Sequence, residues 1–184
     1  MTIIRKLHPD MQVLVDAREP RSPDATVSEQ REHWNRYARK LSHPVPPSLV
    51  VEDTEVPATH GRVPVRIYSP KQRTRPVPCI IYMHGGGFML GNLDSSDSIA
   101  WGFAHETAST VISIDYRLTP EHPWPAAFDD CYGVLDWLTH NGDRIGIDPD
   151  CIIVIGDSAG GRLATSMALK ARDVGLKNIA AQAM

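Results

Sequence analysis

The chain has 184 residues, of which 42% are hydrophobic and 22% charged, and a formal net charge of −3 at pH 7. This length and composition suit one globular domain with a substantial core. The near-neutral charge and the lack of a long Lys/Arg run argue against nucleic acid or an anionic membrane as a partner, and no segment has the length of a membrane span or the apolar run of a signal peptide.

Two helices are predicted near the N-terminus. The first has weak helical spacing and contains Met11, Leu14 and Val15. The second carries apolar side chains at i, i+3, i+4 and i+7, which are Trp34, Tyr37, Ala38 and Leu41. Thr26 and Glu29 predict a capping box at its start. Three prolines between residues 42 and 48 then predict an extended connector.

After the connector the hydrophobic period changes to two. Val63, Val65 and Ile67 alternate with exposed positions and predict a half-buried strand, which Pro64 places near a sheet edge. Residues 50–56 are a candidate antiparallel partner. Three later runs are continuously apolar, as in parallel strands that are covered on both faces: 79–83, 111–114 and 152–155.

Helical segments separate these apolar runs. They are predicted over residues 95–107, around residues 128–135 and over residues 159–173. Residues 179–184 are a candidate for one more strand. The alternation of strand and helix predicts an α/β fold with a doubly wound, mostly parallel sheet.

The sequence Gly156-Asp157-Ser158-Ala159-Gly160 directly follows the last of the apolar runs. Its Gly-x-Ser-x-Gly spacing is typical of a serine nucleophile on a tight strand-to-helix turn. The two glycines let the turn close without side-chain collision, and the following helix directs free N–H groups at the same point. We therefore predict Ser158 as a nucleophile and the Ala159 N–H as a donor to a tetrahedral oxyanion, with a chance match as the alternative.

Three consecutive glycines, Gly85, Gly86 and Gly87, follow the strand that ends at Met83. An oxyanion hole needs backbone N–H groups that no side chain obstructs, and a glycine run meets that need. We predict the N–H groups of Gly85 and Gly86 as the two remaining donors; a flexible surface loop is the alternative. His84 is predicted to anchor this loop by hydrogen bonds rather than to act as a general base.

The cysteines indicate a cellular compartment. Their number is odd, and Cys79, Cys131 and Cys151 lie in or beside predicted strands and helices. This favours buried, reduced thiols in a cytoplasmic protein over a disulfide framework.

The serine and glycine motifs together resemble those of the hormone-sensitive-lipase-like carboxylesterases, or GDXG lipolytic family, within the α/β-hydrolases. Residues 84–94 resemble the bacterial acetyl esterases in particular, and residues 115–127 resemble the stretch that follows the family's fourth strand. The similarity covers roughly residues 50–184.

The resemblance implies an α/β-hydrolase fold and a carboxylic ester hydrolase that cleaves short-chain acyl esters through an acyl-enzyme on Ser158. It implies an oxyanion hole of Gly85, Gly86 and Ala159, no cofactor, no metal and a small-molecule ester as the partner. Residues 1–45 would form a helical cap segment and residues 46–184 the core. The oligomeric state is left open.

Several polar residues of the matching segments receive structural roles. We interpret Asp115, Arg117 and Glu121 as buried polar ties that hold an irregular, proline-rich segment, and we treat His122 likewise. Arg162 departs from the Asn that family members commonly carry, and we expect it to affect packing more than chemistry.

The catalytic triad of an α/β-hydrolase needs an acid and a histidine in addition to the serine. In α/β-hydrolases an Asp or Glu and then a His follow the serine. Here the only acid after Ser158 is Asp173, and no histidine follows. We therefore expect a C-terminally incomplete chain that hydrolyses esters poorly by itself. Alternatives are a non-catalytic, small-molecule-binding or decayed homologue, and a subunit completed by a second polypeptide.

The shortness of the chain after Ser158 also affects the expected stability. The strand before Ser158 would have at best residues 179–184 on one flank, and the helix after Ser158 would expose an apolar face. We expect the chain to be marginally stable or prone to association.

Overall fold

A computed structural model describes residues 8–20, 22–73 and 76–184. A short 3₁₀ turn at Pro9–Met11 leads into α1 (Gln12–Asp16), and α2 spans Val27–Leu41. The predicted capping box is confirmed: the Glu29 N–H donates to Thr26 Oγ1, and the Thr26 N–H donates to the Glu29 carboxylate at 2.7 Å. These bonds satisfy two backbone donors that a bare helix end leaves unpaired.

Six strands of the described residues form one sheet in the order β1-β2-β4-β3-β5-β6. The strands are β1 (Leu49–Ala58), β2 (Gly61–Pro70), β3 (Val77–Met83), β4 (Thr110–Ile114), β5 (Ile147–Gly156) and β6 (Ile179–Ala183). The β1–β2 and β2–β4 pairs are antiparallel, whereas β4, β3, β5 and β6 run parallel. The predicted partner of the alternating strand is thus confirmed, and that strand lies second from the edge.

Helices cover both faces of the sheet. They are α3 (Asp97–Thr107), α4 (Ala126–Asn141) and α5 (Ala159–Asp173). Ala100 and Ala104 of α3 pack against one face, and α4 and α5 share the larger cluster on the other. Every residue of β4 is buried, as expected for a strand with a helical layer on each side. The doubly wound α/β prediction is therefore confirmed.

The β6 end of the sheet is more open. Ile179 is half-buried and the other residues of β6 are exposed, so the predicted extra strand exists as an edge. The expected apolar exposure of α5 is wrong for most of the helix. Leu163, Ala164 and Met167 are buried because β3, β5 and α4 already cover that face, although Leu169 is 46% exposed.

The cysteines, the length of the helices and the grouping of metal-ligating side chains were compared over the described residues. Cys79 and Cys131 are buried, Cys151 is half-buried, and none of them forms a disulfide. No helix in these ranges combines the length and the apolar character needed to cross a membrane. Within the same ranges, no group of three or more His, Cys, Asp or Glu side chains could hold a metal ion.

Candidate active site

Ser158 lies at the sharp turn between β5 and α5. Its backbone has φ 53° and ψ −112°, a conformation that L-residues rarely adopt, and its side chain faces solvent. A Cβ at Gly156 would collide with the backbone of Gly160, and a Cβ at Gly160 would collide with the carbonyl oxygens of Met83 and His84. Both glycines are therefore needed for the turn to close, as the motif predicts.

The glycine loop leaves the carboxyl end of β3 through another set of unusual conformations. Gly86 has φ 120°, Gly87 has φ 65° and Phe88, which carries a side chain, has φ 63°. The N–H groups of Met89 and Leu90 both donate to the Gly86 carbonyl, at 3.1 and 2.9 Å. The loop is therefore a defined, hydrogen-bonded turn and not a loose surface segment.

Asp157 connects the serine turn to the glycine loop. Its Oδ1 accepts a hydrogen bond from the Tyr82 hydroxyl at 2.8 Å and from the Gly85 N–H at 3.1 Å. Burial, followed by the charge of Asp157, raises the pKa of Tyr82 and keeps it protonated as a donor. The structure thus brings the two sequence motifs into direct contact.

The same contact bears on the predicted oxyanion donors. The Gly85 N–H is engaged by Asp157. Among the described residues, no acceptor meets the N–H groups of Gly86, Gly87 or Ala159. The donor roles of Gly85, Gly86 and Ala159 stay predictions, and Gly87 is a further candidate that the sequence analysis does not name.

His84 is buried beneath the glycine loop. Its Nδ1–H donates to the Gly85 carbonyl at 2.7 Å, and its ring stacks on Tyr116 with 4.3 Å between centroids. The Tyr116 hydroxyl donates to the His84 carbonyl at 2.6 Å. Burial lowers the pKa of His84, so the ring is neutral. The prediction that His84 anchors the loop is confirmed.

The segment after β4 carries the predicted polar ties. Arg117 forms an ion pair with the buried carboxylate of Asp130 on α4, with Nη2 and Oδ1 2.8 Å apart. Asp115 is half-buried, and burial raises its pKa. The structural role of Arg117 is confirmed by this ion pair, and that of Asp115 stays a prediction.

Glu121 and His122 are exceptions in the same segment. Glu121 is 52% exposed and not buried; its carboxylate pairs with Arg31 of α2, which lowers the pKa of Glu121 to about 2. His122 is exposed and lines a cavity beside the glycine loop.

Two neighbouring cavities flank the serine turn. The first has a volume of about 410 Å³ and is lined by Gly87, Phe88, Thr119, His122, Trp124, Ala127, Arg162, Leu163 and Ser166. The second, of about 370 Å³, is lined by Ser158, Gly161, Arg162, Thr165, Ser166 and Met184. Each volume falls in the range typical of small-ligand pockets.

Arg162 and Ser166 line both cavities, which makes them the boundary between the two spaces. The Arg162 side chain is exposed and makes no hydrogen bond to any described residue. This placement differs from the packing role expected for Arg162. Its position one turn into α5 points the guanidinium into the cavities and not into the core.

Residues 80–184 match the model of the protein family described as having the alpha/beta hydrolase fold. The chain belongs to the α/β-hydrolases.

Named relatives of this α/β-hydrolase are esterases, as the sequence resemblance implies. Carboxylesterase NlhH of Mycobacterium tuberculosis is 47% identical over 113 residues, which cover 61% of this chain and 35% of the relative. The acetyl esterase of Salmonella schwarzengrund is 33% identical over 175 residues, which cover 93% of this chain and 53% of the relative. The chain thus spans about half the length, or less, of these curated relatives.

A solved structure shares the arrangement. The hyperthermophilic esterase from the archaeon Pyrobaculum calidifontis superimposes with a TM-score of 0.86 at 36% identity, and the match covers 97% of this chain and 58% of that one. Nearly all of this α/β-hydrolase therefore follows the path of an esterase backbone.

The base of an α/β-hydrolase triad is not found in this chain. No histidine follows Ser158, and Asp173 lies exposed at the far end of α5, where it pairs with Arg172 at 2.7 Å. No described side chain forms a hydrogen bond with Ser158 Oγ. Around Ser158 the described residues thus show unengaged backbone N–H groups and no side chain that hydrogen-bonds to its hydroxyl.

Proposed function

We propose that this α/β-hydrolase is a serine hydrolase of the carboxylesterase type that cleaves short-chain acyl esters through an acyl-enzyme on Ser158. The observation that carries the proposal is the contact between the serine turn and the glycine loop through Asp157. It holds an exposed, strained serine next to backbone donors and beside a cavity. Apart from a general base, this combination supplies the groups that acyl transfer requires.

The proposed reaction proceeds through a tetrahedral intermediate. Ser158 Oγ forms a bond to the ester carbon while its proton passes to a water molecule acting as the base, and the carbonyl oxygen becomes negatively charged. The N–H groups of Gly86, Gly87 and Ala159 stabilise that oxygen, and a donor of this kind contributes about 3 kcal/mol. The carbon–oxygen bond to the alcohol then breaks, the alcohol takes up the proton, and water releases the acyl group.

The size of the site and the relatives both support a small acyl group. The cavity beside Gly87 and Phe88 has room for a short chain at about 410 Å³. One relative is named an acetyl esterase and others are named carboxylesterases. We infer that acetyl and similarly short acyl esters are the substrates.

We also propose that residues 1–45 act as a cap segment on a core of residues 46–184. Contacts of α2 with the glycine loop and with the segment after β4 support this division. The unpaired, mostly buried cysteines support the proposal of a cytoplasmic location.

Labelling with a fluorophosphonate tests the proposed nucleophile. We expect a single adduct on the peptide that contains Ser158, and none in the S158A variant. The S166A variant is the matched control, because Ser166 lines the same cavities and lies two turns further along α5. Labelling should be slow, since an oxyanion hole without a base retains only part of the rate enhancement.

The second candidate, a non-catalytic binding protein with the same fold, is favoured by the missing base. It predicts that the S158A variant and the wild-type chain behave alike with the probe. An adduct on Ser166, or none at all, would contradict the hydrolase proposal.

A further inference from the structure

One side chain of α2 reaches two loops beside the candidate site. Arg31 Nε donates to the Met89 carbonyl at 2.8 Å, and Nη2 donates to the Thr119 carbonyl at 2.9 Å. Both terminal nitrogens also bond to the carboxylate of Glu121, at 2.9 and 2.7 Å. One guanidinium therefore joins α2, the glycine loop and the segment after β4.

Thr119 in turn contacts the glycine loop next to Met89. The Thr119 N–H and Oγ1–H both donate to the Phe88 carbonyl, at 2.8 and 3.2 Å. Thr119 and Arg31 thus hold the two consecutive carbonyls that follow Gly87. Phe88 has φ 63°, a backbone conformation that persists only where the surroundings enforce it. The contacts of Arg31 and Thr119 provide that enforcement.

The geometry suits arginine in particular. A planar guanidinium can bind a carboxylate with two parallel hydrogen bonds and still donate to two carbonyls, whereas a lysine ammonium is a single point donor. The Arg31 side chain is 27% exposed, so the network is partly shielded from water. The hydrogen bonds with Glu121 raise the pKa of Arg31, which remains charged.

We propose that Arg31 is a positioning residue that holds the glycine loop in the conformation that presents the Gly86 and Gly87 N–H groups to the oxyanion. Helix α2 then sets the geometry of the oxyanion hole in addition to covering it. The catalytic meaning of this role rests on the proposed function. The positioning itself can be measured without ester hydrolysis.

Amide hydrogen exchange in the R31A variant, followed by NMR, tests the proposal. The reporters are the N–H groups of Met89, Leu90 and Thr119, because their hydrogen bonds define the loop. We expect their exchange to accelerate by roughly tenfold or more when the charge-assisted network is removed. Exchange in the strands should stay unchanged.

The R36A variant is the matched control. Arg36 lies on the same helix and forms an ion pair with Glu19 at 3.2 Å, away from the glycine loop. Its loss should leave the three reporter amides unchanged. The R31K variant keeps the charge, and we expect it not to restore protection, since one nitrogen cannot serve all the acceptors. Full protection in R31K would reduce Arg31 to a simple counter-ion of Glu121 and overturn the proposal.

The E121Q variant covers the case in which R31A unfolds α2. It leaves the helix sequence intact and weakens the anchor of the guanidinium, so exchange at Met89 and Thr119 should rise by a smaller factor than in R31A. Unchanged reporters in R31A or E121Q, or an equal rise in R36A, would also overturn the proposal. A chain that fails to label at Ser158 can still pass this test, so the two proposals fail separately.

Discussion

Two regions of the same sheet differ in the burial of their side chains. The first is the carboxyl ends of β3 and β5, and the second is the outer edge of β6. At the first region, Tyr82, His84 and Tyr116 are buried; the Tyr82 hydroxyl donates to Asp157 of the serine turn, and the Tyr116 hydroxyl donates to the His84 carbonyl at the start of the glycine loop. At the second, four of the five residues of β6 are exposed. The geometry of the site therefore depends on packed contacts inside the described core, whereas we expect the edge to influence association.

The two outer edges of the sheet also differ from each other. The exposed part of β1 carries Glu52, Asp53 and Glu55, whereas β6 has the uncharged sequence Ile-Ala-Ala-Gln-Ala. Charged residues on an edge strand discourage pairing with another chain, and an uncharged edge permits it. Three substitutions test the difference between the buried carboxyl ends of β3 and β5 and the exposed strand β6.

The G160A variant should have the largest effect. A Cβ there would meet the carbonyl oxygens of Met83 and His84, which are backbone atoms that cannot rotate away. We expect a loss of about 3 kcal/mol or more in the free energy of unfolding, at the upper end for an overpacked core. Urea denaturation followed by circular dichroism measures it.

The G102A variant is the control for that substitution. Gly102 also lies in a helix, but no atom lies within 4 Å of its Cβ position. Alanine should stabilise this site by up to about 1 kcal/mol, because it favours the helix over the unfolded chain. Equal unfolding midpoints for G160A and G102A would refute the view that the turn is closed by contact.

The Y116F variant should have an intermediate effect. It removes the hydroxyl that donates to the buried His84 carbonyl, and we expect a loss of about 1–2 kcal/mol in the free energy of unfolding. The Y132F variant is the control, since Tyr132 is half-buried and its hydroxyl bonds to no described residue. The same denaturation experiment applies, and similar values for both variants would contradict the anchoring role of Tyr116.

The A181K variant should change stability least, within about 0.5 kcal/mol, because Ala181 is exposed. Its effect should be on self-association, since a charge on the open edge opposes strand pairing. Sedimentation velocity at several concentrations measures the change. The T54K variant on β1, where acidic residues already protect the edge, should associate as the wild type does. Unchanged association in A181K would show that β6 is not the surface involved.

The sequence predicted those features whose signals are local. The capping box of Thr26 and Glu29, the order of strands and helices and the glycines that flank Ser158 all depend on residues a few positions apart. Spacing along the chain reports such features directly because the partners share one turn or one element.

The sequence could not reveal contacts between distant segments. The Gly85 N–H is engaged by a carboxylate 72 residues away, and Arg31 meets Glu121 across 90 residues. No local pattern distinguishes a free amide from an engaged one, so the sequence predicts Gly85 as a donor without its contact to Asp157 and does not single out Gly87. Glu121 was expected to be buried for the same reason: its partner lies on α2, far from its own segment.

Asp157 has a consequence for motion within the molecule. It is covalently adjacent to Ser158 and hydrogen-bonded to the first glycine of the neighbouring loop. We therefore expect a thermal displacement of the β5–α5 corner to carry the loop in the same direction and the distance between Ser158 Oγ and the loop amides to stay nearly constant. Collective fluctuations of the sheet that shift the Ser158 hydroxyl and the loop amides together leave the alignment of these two groups unchanged.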